Sequence, residues 1–99
     1  MLKNIYLLKV SGGELSYGYP VEGSDWERNP RCFETRNGAI RGAMETATEF
    51  QLEGFTPETM DGETARSTLE RTGVLHLSKV DDYGDVTYVT VEIQETPLE

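Results

Sequence analysis

The 99-residue chain is expected to form one α+β domain over residues 1–99, a four-stranded, mostly antiparallel sheet packed by one main helix. Three observations carry this. Strand-like segments occur in pairs at both ends, at about 4–10 and 14–20, then 74–80 and 86–93. One central segment, about 36–51, has apolar residues at helical spacing. A weaker helical pattern covers about 57–72, so the element order reads ββ-α-(α)-ββ.

"NIYLLKV", from Asn4 to Val10, is rich in aromatic, β-branched and leucine residues and suits a largely buried strand. "SGGE" follows as a turn signal, glycine supplying the positive φ of a hairpin. "ELSYGYPV" then alternates, with Leu15, Tyr17 and Tyr19 on one face and Ser16 and Gly18 on the other. Pro20 ends that strand or marks it as an edge, because it cannot donate to a ladder. "GSDWERNPRCF", Gly23 to Phe33, reads as a long loop closing near "RCFE". It holds the only tryptophan and the only cysteine.

The main helix is marked by Ala39, Ile40, Ala43, Met44, Ala47 and Phe50, with Thr35 as N-cap. Gly38 and Gly42 each cost about 1 kcal/mol of helix propensity relative to alanine, so packing must hold this helix in place. Small residues at 38, 39, 42 and 43 allow a close seat on a sheet. In the second helical segment Thr56, Pro57 and Glu58 form an N-terminal signature, and Gly73 is the stop. Gly62 offers a point where it divides, with the helix proper from about Glu63. At the end, "VLHLSKV" and "VTYVTVEI" flank the turn "DDYGD". Val89, Val91 and Ile93 share one face with Thr87, and Tyr88, Thr90 and Glu92 share the other.

The charge is uneven. Residues 1–44 carry a net +1, whereas residues 45–99 carry thirteen acids against three bases, within a total of −9. Such a field repels phosphates and argues against direct nucleic-acid binding. It favours a partner with a basic surface. The longest apolar run is "IYLL", far short of a membrane helix, and the N-terminus shows no cleavage site, so a cytoplasmic location is the default. The single cysteine leaves no internal disulfide, and burial beside Phe33 is enough to account for it.

No catalytic, cofactor or metal site is expected. One Cys and one His lack zinc-ligand spacing, "DDYGD" is too short for an EF-hand loop, and "SGGE" lacks the phosphate-loop ending. His76 alternates with Leu75 and Leu77 and reads as a core-edge or hydrogen-bonded histidine. The recurring Glu-Thr dipeptides have irregular spacing and are not a repeat.

Two binding surfaces are candidates. One is acidic: Glu45, Glu49, Glu53, Glu58, Asp61 and Glu63, with no base among them. The other is aromatic and basic: Tyr17, Tyr19, Trp26, Arg28 and Arg31, residue types that anchor interfaces. Trp26 is either a contact residue or a lid over one end of the core. A hairpin, then "CFET", then a helix with alanines at 39, 43 and 47 resembles the partner-binding domain of HicB-type antitoxins over residues 4–52. The resemblance implies neutralisation by protein contact; the second half, a helix and an acidic hairpin, departs from it.

The leading expectation is a small, acidic, non-enzymatic protein-binding module. It would act as an inhibitor or nucleic-acid mimic, of the type phage and mobile elements direct against host defence, docking on a basic partner surface. The alternatives are a domain that binds or sequesters a small molecule or nucleotide with the Tyr/Trp/Arg patch, and a structural homo-oligomer joined through a sheet edge at Pro20 or the terminal strand.

Overall fold

The computed structural model describes residues 3–98; residues 1 and 2, part of the segment read for a cleavage site, and residue 99 lie outside it. In chain order the elements are β1 (Lys3–Ser16), β2 (Tyr19–Pro20), β3 (Trp26–Glu27), β4 (Arg31–Phe33), α1 (Arg36–Leu52), β5 (Thr56–Pro57), α2 (Ala65–Thr72), β6 (Val74–Val80) and β7 (Val86–Leu98). All pairings are antiparallel, in the order β2-β1-β7-β6-β5, with β3 and β4 also on the free side of β1. The class is therefore α+β with two helices and one antiparallel sheet. The sheet has seven strands where the sequence suggests four: the expected strands at 4–10 and 14–20 merge largely into β1, leaving three long strands, and four short pairings of two or three residues line the edges.

Alternation puts Leu8 and Val10 of β1, Leu75 and Leu77 of β6, and Val89 and Val91 of β7 on one face, where they are buried. Ala43, Ala47 and Phe50 of α1, Leu69 of α2 and Phe55 close over them. Burying each leucine of this set contributes about 1.5–3 kcal/mol. Thr35 caps α1 by accepting from the Gly38 N–H at 3.0 Å. Gly42 lets α1 approach, since a Cβ there would sit 2.7 Å from the Phe33 ring. Both helices lie on this one face. None of the described helices lies over the other face of the sheet.

"SGGE" is not a turn. Gly12 and Gly13 are interior to β1, paired with Val89 and Tyr88. A Cβ on Gly12 would meet the Tyr88 carbonyl and lie 2.6 Å from the Trp26 ring; one on Gly13 would lie 2.6 Å from the Tyr88 hydroxyl. These glycines make room for two rings that cross the strand on opposite faces. The reversal comes later. Tyr17 (φ 52°) and Gly18 (φ 81°) form a two-residue turn between the paired Ser16 and Tyr19. Positive φ at both central residues is the primed geometry that matches strand twist. Tyr17 is thus in the turn and does not share a strand face with Leu15 and Tyr19.

The segment read as a long loop is a broken edge strand. Five residues separate Pro20 from Trp26 opposite only two of β1, and three separate Glu27 from Arg31 opposite two. These bulges, with Pro20 and Pro30, blunt the edge. Cys32 is exposed, not buried beside Phe33. Phe33 faces the core, so its neighbour must face the opposite side.

The second helical segment also differs. Thr56 and Pro57 pair with Ser78 and Leu77 of β6, so they are an edge strand and not a cap. The cap is Thr64, in a reciprocal capping box with Ser67, and α2 ends at Gly73 (φ 76°). Pro57 tolerates either role because an edge strand and a first helical turn both leave its missing N–H without consequence. β7 lies between β1 and β6, so the terminal strand is central to the sheet rather than an edge.

Candidate functional site

Pairing along β1 divides the proposed aromatic-basic patch into two parts. Trp26 lies opposite Gly12 on the core side and is half-buried. Its ring stacks on Phe50 with centroids 6.1 Å apart. The Arg28 guanidinium sits 5.2 Å from the Phe50 centroid and the Arg31 guanidinium 5.1 Å from that of Phe33. Arg28 also lies 3.9 Å from Glu49, at the outer limit of an ion pair. These three side chains cover the rim of the core, and an edge of Trp26 still borders open space.

Tyr17 and Tyr19 stand apart from them. Tyr19 pairs with Ser16, four residues up β1 from Gly12, roughly 13 Å along the strand. Tyr17 is 90% and Tyr19 76% exposed. At the same end β7 begins: Val86 pairs with Leu15, and the Ser16 hydroxyl donates to Asp85 Oδ1 at 3.1 Å. This brings the turn of the second hairpin, Asp81–Asp85, beside the first. Tyr83 there is 89% exposed. One end of the sheet thus presents three exposed tyrosines on two adjoining hairpin tips.

The tips are acidic. Residues 14–22 and 80–87 contain Glu14, Glu22, Asp81, Asp82 and Asp85 and no base. Asp81 Oδ1 accepts from the backbone N–H groups of Tyr83 and Asp85, at 2.8 and 3.0 Å, which fixes the Tyr83 turn. The Asp81 carboxylate is therefore a turn acceptor, and that of Asp85 a link to Ser16, in addition to their charges. Among the described residues no group of three or more His, Cys, Asp and Glu side chains is placed to hold a metal ion. None of the helices described is long and apolar enough to cross a membrane.

The six acids proposed as one face have different surroundings. Glu45 and Glu49 lie on the exposed side of α1, and Glu53 caps its C-terminal end. No basic residue occupies the last turn of α1, and the cation at the negative end of its dipole comes from β6. Lys79 Nζ donates to the Glu53 carbonyl at 3.2 Å, two residues before Asp81, and lies 4.8 Å from the Phe55 centroid. That contact sets the acidic end of α1 toward the tyrosine tips. Glu58 and Asp61 are exposed on the segment between β5 and α2.

Glu63 belongs to the fold. It accepts from Arg71 Nε at 2.7 Å and from the Thr68 hydroxyl at 2.9 Å. The hydrogen bonds from Arg71, then Thr68, hold its carboxyl below the usual carboxylate range. A lowered folded-state pKa stabilises above the ordinary carboxylate value and ceases to do so as pH falls through the lowered one. Glu63→Gln is expected to lower the melting temperature at pH 7, and by less in acid below the ordinary carboxylate value, as pH falls through the lowered one. Thermal unfolding of both proteins at pH 7 and in such acid checks this; a gap of constant size would contradict it.

On the uncovered face His76 Nδ1 lies 3.1 Å from the Thr90 hydroxyl, a hydrogen-bonded surface histidine. Beside it runs an open groove of about 470 Å³, lined by Lys9, Ser11, Glu27, Arg28, Thr90 and Glu92. A second hollow of about 430 Å³ adjoins Asp25, Trp26 and Tyr88. The first sets two bases against two acids and the second has acids alone, so neither concentrates positive charge for a phosphate.

Tyr83 is a candidate-site residue that the sequence reading does not include. A signal existed: both hairpin turns contain the dipeptide Tyr-Gly, at 17–18 and 83–84. No protein-family model matches the chain, and no curated protein or solved structure shows significant similarity to it.

Proposed function

We propose that this protein is a small, acidic, non-enzymatic binding module that docks on a basic surface of a partner protein. The contact region is the end of the sheet carrying Tyr17, Tyr19 and Tyr83. The observation that carries this reading is the exposure of three tyrosines on two hydrogen-bonded hairpin tips that have five acids and no base. Tyrosine supplies large contact area with a polar end and few rotatable bonds, the reason it dominates antibody contact loops. The acids steer a cationic surface onto it. Where that surface normally binds nucleic acid, the module competes by charge mimicry and acts as an inhibitor. Trp26, Arg28 and Arg31 serve the core rim in this reading, which weakens the small-molecule alternative.

The test is capture of proteins from the native host by the immobilised chain, at about 50 mM and 500 mM salt. A specific partner is expected at low salt and reduced at high salt. The triple variant Tyr17→Ala/Tyr19→Ala/Tyr83→Ala is expected to lose it while keeping the wild-type melting temperature. Equal capture by the triple variant and the wild type would reject the tip as the contact region.

A further inference from the structure

The sheet carries apolar residues on both faces, yet the helices cover only one. On the uncovered face, alternation places Ile5, Leu7, Leu15, Val74, Val80 and Val86, with Tyr88 lying across Gly13. An antiparallel sheet with one solvated face ordinarily turns polar residues outward. β1 departs from that habit: Ile5 and Leu7 face away from the core and are half-buried. Charge is nearly balanced here: Lys9 and Arg28 line this face together with Asp25, Glu27 and Glu92. Lys9 and Glu92 are direct cross-strand partners.

We infer that this face is covered by a second copy of the chain, sheet against sheet. Two chains of charge −9 repel each other, and this face, where bases and acids nearly balance, is where they can approach with least opposition. The paired strands present roughly 700 Å² per copy, about 1,400 Å² in a dimer, within the range of a stable interface. A two-fold axis makes the surface self-complementary, so Lys9 of one copy can offset Glu92 of the other. Edge-to-edge association is not favoured, since Pro20, Pro30 and Pro57 interrupt both edges. The face is distinct from the tyrosine tips, so either reading can fail while the other stands.

Sedimentation equilibrium tests the inference at about 10–100 µM protein, a range that resolves micromolar association. The expected mass is twice 11.1 kDa, with the dimer fraction rising as salt screens the like charges. This is the opposite of the salt dependence expected for the basic partner. Leu7→Arg and Val80→Arg are each expected to raise the dimer dissociation constant at least about tenfold. Val80 is 62% exposed, so its variant remains informative if Leu7→Arg does not fold. A mass of 11.1 kDa at every concentration and salt overturns the inference, as does a dimer indifferent to the folded variants.

Discussion

Gly12→Val is expected to destabilise the protein by about 3 kcal/mol, the upper part of the usual range for overpacking. The new side chain would press on the Tyr88 carbonyl, which the β1–β7 ladder holds, and on the Trp26 ring, which Phe50 holds from its far side. Neither neighbour can withdraw without breaking a strand pair or a stack. For a domain of this size the loss corresponds to a fall in melting temperature on the order of 15 °C. Gly13→Ala supplies the control. Its Cβ would meet the ends of the Tyr88 and Asp25 side chains on the open face, which can swing aside, so its cost is below about 1 kcal/mol. Thermal or urea unfolding of both variants gives the order. Were residues 11–14 a hairpin turn, Gly12→Asn would be tolerated; in a strand interior beneath Trp26 it is not.

Trp26→Ala is expected to cost about 2–3 kcal/mol, less than the 3–5 kcal/mol of a fully buried aromatic because one edge of the ring is free. The loss has two parts, the stack on Phe50 and the cover over the bare backbone at Gly12. The Arg28 guanidinium would lose its packed setting over Phe50 as well. Because Trp26 and Gly12 touch, their variants should not add. Gly12→Ala is expected to be milder in a Trp26→Ala background by about 0.5–1 kcal/mol, the residual penalty coming from the Tyr88 carbonyl. Urea unfolding of the two singles and the double measures this. A cost for Trp26→Ala within about 0.5 kcal/mol would mean that the ring does not serve the core.

The elements legible in the sequence are those whose signals are local. α1 follows from alanine spacing and from Thr35, both readable within one window. The alternation of Val89, Val91 and Ile93 on β7 is likewise internal to the strand. What was hidden depends on distant partners. Gly12 and Gly13 look like a turn unless Trp26 and Tyr88 are known to cross them. β3 and β4 exist because β1 lies beside them, and two or three paired residues leave no periodic trace. Thr56–Pro57–Glu58 has the same local grammar as a helix start, and β6 decides the outcome.

The candidate site divides along the same line. The sequence identifies Tyr17, Tyr19, Trp26, Arg28 and Arg31 as interface-forming types, but not that Phe50 and Phe33 occupy the last three. It cannot show that 66 residues separate Tyr17 from a neighbour, Tyr83, that only the β1–β7 register supplies. Nor does the acid count separate Glu63, which is part of the α2 scaffold, from acids free to meet a partner.

The docking claim is tested most directly by chemical labelling of tyrosines in the free chain and in the complex with its captured partner, followed by site-resolved mass spectrometry. Tyr17, Tyr19 and Tyr83 are expected to label readily when free and to become protected in the complex, while Trp26 fluorescence is unchanged. Full labelling of those three tyrosines in the complex, together with a shift in Trp26 emission, would contradict the docking claim and move the contact surface to the Trp26 rim.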